Sequence, residues 1–81
     1  RELETARVRL TRTQALLGAA ERVASLALLA YREGASALPS VLEAQRSSRE
    51  TRLQYLEALG AMRSVAARQR LLALTSQSAL R

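Results

Sequence analysis

The side chains able to do chemistry in this chain are few and nearly of one kind. Seven glutamates, two tyrosines and 13 basic residues, every one an arginine, make up the ionisable set; histidine, aspartate and cysteine are absent. General acid–base and nucleophilic catalysis draw mostly on a histidine, a tuned carboxylate or a thiol beside a base. Here only glutamates remain, and none has an adjacent carboxylate or a second acid–base partner. Glu50 and Glu57, one heptad apart, read as outer-face carboxylates in solvated ion pairs with Arg46 and its neighbours. No two glutamates converge on the seam as metal ligands. No catalytic residue, cofactor site or metal site is therefore expected, and the chain does not read as an enzyme. Without cysteine, a disulfide framework is excluded as well.

The net charge of +6 raises the question of a polyanionic partner. Arg46, Arg49 and Arg52 form the densest basic cluster, but glutamates are interleaved along the chain, and two tyrosines provide no stacking platform for a single strand. A solvated helical face is the plainer expectation. The opening Arg-Glu-Leu-Glu is acidic and amphipathic and does not read as a leader peptide. The longest nearly apolar run, Val23 to Tyr31, is much shorter than the roughly 20 residues that span a bilayer.

The elements that position these groups follow from a repeat of seven. Leu3, Leu10, Leu17, Ala24 and Tyr31 form one row, with Ala6, Thr13, Ala20 and Ala27 three residues further on. Such an a/d spacing is the mark of a left-handed coiled-coil seam. A second run repeats it: Val41, Ser48, Tyr55, Met62 and Gln69, with Ala44, Thr51, Ala58, Val65 and Leu72. Large residues in one row oppose small ones in the other if the chain folds back near residue 37. Leu17 then falls near Tyr55 and Ala58, Leu10 near Met62 and Val65, and Leu3 near Gln69 and Leu72. Tyr31 and Tyr55 both sit on the seam, with their hydroxyls expected at its rim. Each arm also has apolar residues to spare: Leu16, Ala19, Val23, Leu26 and Ala30 on the first, Leu42, Leu53, Leu56 and Leu59 on the second. A helix apolar on two flanks is built for two neighbours.

The fold expected is all-α, one antiparallel two-helix coiled-coil hairpin. Helix one covers about 1–33, the tip 34–39, helix two about 40–75, and a frayed tail 76–81. Gly34 suits the left-handed residue that ends a helix, and Pro39 the first turn of the next, where a missing N–H costs little. Ser40 and Glu43 have capping-box spacing, with Ser36 and Leu38 as other possible N-caps. At 1.5 Å per residue each arm is roughly 50 Å long. Gly18 falls in mid-helix, either for close packing or merely tolerated.

The motif Tyr31-x-x-Gly34, a short turn, Val41-Leu42-Glu43-Ala44-Gln45-Arg46 and then Tyr55-Leu56-x-Ala58-Leu59 resembles the TolC-like outer-membrane efflux proteins, and most of all their heavy-metal and multidrug branch. The likeness spans roughly residues 24 to 72. It implies a fragment of a larger α-helical barrel, one hairpin from the second half of a homotrimeric channel. The barrel would occupy the periplasm beneath the outer membrane, and its tips would meet a periplasmic adaptor protein that links the channel to an inner-membrane pump. By position, Gly34, Ala35, Ser36, Ala37 and Leu38 would form that contact, while Tyr31 matches a tyrosine that helps hold the entrance shut. The chain departs from the family pattern in the same stretch. Ala37 and Ser40 replace the usual turn serine and the acidic residue, Pro39 is inserted, and Ser36 stands where some members carry arginine. Only Tyr31 of the closing network carries over. The alternative is a free-standing hairpin that dimerises into a four-helix bundle and binds RNA or another polyanion through a basic face.

Overall fold

The computed structural model describes residues 1–79. Two helices account for almost all of them: α1, Glu2–Arg32, and α2, Leu38–Ala79, packed antiparallel in a rod of 71 × 14 × 13 Å. Among the described residues there is no strand. The fold is an all-α helical hairpin.

The heptad rows are what hold it together. Val41, Ala58 and Val65 are the buried apolar residues, and Leu3, Leu10, Leu17, Ala24, Ala44, Tyr55 and Met62 are partly covered along the same seam. Two polar residues, Thr13 and Ser48, are also buried there. Thr13 avoids an unpaired hydroxyl because its Oγ1 donates within its own helix, to the carbonyls of Arg9 (2.9 Å) and Leu10 (3.1 Å). Two ion pairs between the helices report the register. Arg52 Nη2 lies 2.6 Å from Glu21 Oε2, and Arg68 Nη2 lies 2.8 Å from Glu2 Oε1. Both pairings have their sequence midpoint within about two residues of 37, where matching the large and small rows places the fold.

The seam departs from its sequence pattern at both ends. Tyr31 is exposed (42%) despite its seam spacing, whereas Val41, the first seam residue of α2, is buried (3%). Gln69 and Leu72 are exposed as well: Arg68 already pairs with Glu2, and no residue of α1 stands opposite the turns beyond it. The helix nonetheless continues past Thr75, so Ser76–Ala79 are helical instead of frayed. Residues 80 and 81 of that expected tail lie outside the described residues. At its start, α2 begins at Leu38 and takes Pro39 and Ser40 into its first turn. Ser40 cannot then be an N-cap, and its N–H donates to the Ala37 carbonyl at 3.1 Å.

Candidate docking site at the hairpin tip

Five residues, 33–37, join the helices, and their backbone is closed by its own hydrogen bonds. Glu33 ends α1 with near-helical angles (φ −89°, ψ 1°), and Gly34 follows with φ 79°. The Gly34 N–H donates to the Tyr31 carbonyl (3.0 Å) and the Ala35 N–H to that of Ala30 (2.8 Å). This is the double bond pattern of a Schellman cap, which satisfies two of the carbonyls a helix end would otherwise leave open. Glycine fits because a Cβ in the left-handed region crowds its own backbone. No other atom comes within 4 Å of where that Cβ would stand, so the constraint is conformational and not a matter of space.

The result is a short, hydrogen-bonded knuckle with little side-chain bulk. Ala35 and Ala37 are exposed, Ser36 is partly covered, and Leu38 (47% exposed) and Tyr31 stand on either side. Tyr31, Gly34, Ala35, Ser36, Ala37 and Leu38, neighbours along the chain, all lie at this end of the hairpin. Tyr31 is present as an outward-facing ring, not as a seam residue.

The other candidates are dispersed. Of the cluster Arg46, Arg49 and Arg52, the first is paired with Glu50 one turn on (3.2 Å) and the third with Glu21 across the seam. Glu50 is thus held by an arginine in the way its spacing predicts. Among the described residues, no three histidine, cysteine, aspartate or glutamate side chains gather as a metal site, and no helix is long and apolar enough to cross a membrane.

Two further features bear on binding. The surplus apolar row of α1 stays open: Leu16 is 51%, Val23 57% and Leu26 64% exposed. Leu16, Ala19 and Val23 form one wall of a shallow trough whose other wall is Ala44, Ser47 and Thr51 of α2. The trough continues toward the tip past Ser40 and Glu43. On α2, Leu42, Leu53 and Leu56 are likewise exposed. The charge, in addition, is segregated. Residues 13–62, the tip half, hold five arginines and five glutamates. The open end, residues 1–12 with 63–79, holds seven arginines (Arg1, Arg7, Arg9, Arg12, Arg63, Arg68 and Arg70) against Glu2 and Glu4, a net of +5. Counting along the chain hides this imbalance, because the two basic stretches are far apart until the hairpin closes. Folding the sequence at residue 37 and recounting would have exposed it.

Comparison with protein-family models, with curated proteins and with solved structures finds no match to this chain.

Proposed function

We propose that this hairpin is a wall element of the periplasmic α-barrel of a TolC-like outer-membrane efflux channel, with the Gly34 knuckle as the surface that meets a periplasmic adaptor. The observation that carries the proposal is the pair of apolar faces on each arm. One face is used up in the α1–α2 seam; the other, with Leu16, Val23 and Leu26 on α1 and Leu42, Leu53 and Leu56 on α2, is left open. A barrel-wall helix requires this arrangement because it has a neighbour on each side. The Tyr31-x-x-Gly34 and Val41–Arg46 motifs support the same role, as does a tip of small side chains on a hydrogen-bonded turn, which lets another helical tip approach closely. In this role the hairpin is a passive conduit wall, assembled as a trimer, and takes no part in chemistry.

Two measurements test the proposal. The gene should encode a leader, amphipathic strands of period two and a second copy of this hairpin; a gene with none of these would end the assignment. In capture assays with an adaptor hairpin, Leu38→Glu should weaken binding roughly tenfold or more, as truncating or charging an interface anchor does. Helicity by circular dichroism should stay unchanged, since Leu38 is not a seam residue. Unaltered capture would remove the tip from the contact.

One observation favours polyanion binding as a second role: the +5 charge gathered at the open end. Binding of that kind weakens steeply as salt rises, because condensed counterions are released. A flat response to salt with a model RNA would dispose of it.

A further inference from the structure

The open row on α1 is longer than its apolar part. It runs Arg9, Arg12, Leu16, Ala19, Val23, Leu26, Ala30 and Glu33, with alternating steps of three and four, so it is a second a/d seam in its own right. Arg9, Arg12, Leu16, Val23, Leu26 and Glu33 are all exposed. The row is also self-complementary about residue 21. Reversed against itself, it sets Leu16 opposite Leu26, Ala19 opposite Val23, Arg12 opposite the small Ala30, and Arg9 opposite Glu33. In an antiparallel coiled coil, a-type positions of one helix meet d-type positions of the other, and each of these pairs joins one of each kind.

We infer that this face is an interface with a second copy of the chain, α1 against α1 about a twofold axis level with Glu21, with the two tips at opposite ends. A twofold contact of this kind must present the same patch from both copies, and the reversed row meets that condition in size and in charge. Each Arg9 finds the Glu33 of its partner at the two ends of a four-layer apolar centre. The antiparallel arrangement also sets the +5 open end of one copy beside the neutral tip half of the other, whereas a parallel one would bring two like-charged ends together. This contact and the barrel contact exclude each other, because both use the same row of α1. A barrel wall keeps all tips at one end and lays α2 of the next hairpin against this row.

The experiment uses the 81-residue chain itself. Sedimentation equilibrium should give a mass that rises to twice the monomer's with concentration. Leu16→Glu combined with Val23→Glu should return it to monomer at unchanged helicity. Arg9→Glu should raise the dimer dissociation constant roughly tenfold or more by placing two carboxylates together, and adding Glu33→Arg should restore it. Because the chain has no cysteine, Arg12→Cys in one copy and Ala30→Cys in another should form a mixed disulfide faster than either forms a disulfide with itself. A chain monomeric at every concentration, a dimer that survives the double glutamate variant, a failed charge-swap rescue, or a dimer without the mixed disulfide would each overturn the inference.

Discussion

The two seams of α1 have the same spacing and opposite fates. Leu3, Leu10, Thr13, Leu17 and Ala20 are covered by α2, whereas Leu16, Val23 and Leu26, written with the same steps of three and four, remain open. Heptad spacing thus tells which residues call for a neighbour and not which neighbour answers. The choice of the first seam for α2 rests on the facing row. Ala44, Thr51 and Ala58 are small enough to let the backbones approach, and Glu21 and Glu2 find Arg52 and Arg68 only in that arrangement. The sharpest way to break the contrast is a charge placed in each seam. Ala58 is fully buried, so Ala58→Glu should cost about 3 kcal/mol or more, through a buried charge without a partner. In a chain this small that is enough to abolish folding. Leu16→Glu, measured at a concentration where the chain is monomeric, should change stability by about 0.5 kcal/mol or less. Urea melts followed by circular dichroism would read both. Equal losses would mean that the two rows are not differently used.

Truncation sharpens the same contrast at smaller amplitude. Val41→Ala, at a seam position, should destabilise by about 2 kcal/mol, the cost of lost burial plus the cavity left behind. Val23→Ala removes the same atoms from an exposed helical position, where alanine's higher helix propensity offsets the small loss of packing, and should change stability by about 0.5 kcal/mol or less. A large effect at Val23 in dilute solution would show that the open row is already covered within one chain.

The seam was legible in the sequence because it depends on periodicity, which each helix carries locally. The fold-back near residue 37 was legible for the same reason, since only one register opposes large rows to small. Features that depend on what lies across the gap were not. Tyr31 has seam spacing, yet its ring stays exposed; Gln69 and Leu72 have it too, yet stand beyond the Glu2–Arg68 pair that closes the seam. Ser40 and Glu43 carry the spacing of a capping box, but the helix had already begun at Leu38, where Pro39 fits its first turn. At the tip, the left-handed backbone of Gly34 was legible because few residues other than glycine adopt it at the end of a helix. The charge segregation became visible only once the two basic stretches were brought together.

Glycines extend the comparison from side chains to backbone. Gly34 has φ 79°, so Gly34→Ala should cost about 1 kcal/mol even though the space around it is empty. Gly18 and Gly60 lie inside helices, and a Cβ at Gly18 would meet only the guanidinium of Arg22 at 3.5 Å, while at Gly60 it would meet nothing. Close packing does not explain either. Gly18→Ala and Gly60→Ala should each stabilise by up to about 1 kcal/mol, which in a domain of this size raises Tm by roughly 4–8 °C. A loss at Gly18 would show that the position is needed by a partner outside the hairpin.

The smallest effect separates two ion pairs that look alike. Arg46–Glu50 is made within one helix, Arg52–Glu21 between two, and all four side chains are about half or more exposed. Exposed pairs contribute roughly 0.2–1 kcal/mol at most, and salt screens them. Their couplings should nevertheless differ. A pair four residues apart re-forms whenever the unfolded chain visits a local helix, so part of its attraction is present on both sides of the unfolding equilibrium and cancels. Glu21 and Arg52 are far apart in sequence and meet only when the hairpin closes, so their attraction counts in full toward the folded state. Double-mutant cycles with glutamine at each position should therefore give a larger coupling for Arg52–Glu21 than for Arg46–Glu50, and both should shrink as sodium chloride is raised. Equal couplings would mean that the antiparallel seam is already formed in the denatured chain, or that Arg52 and Glu21 spend most of their time apart.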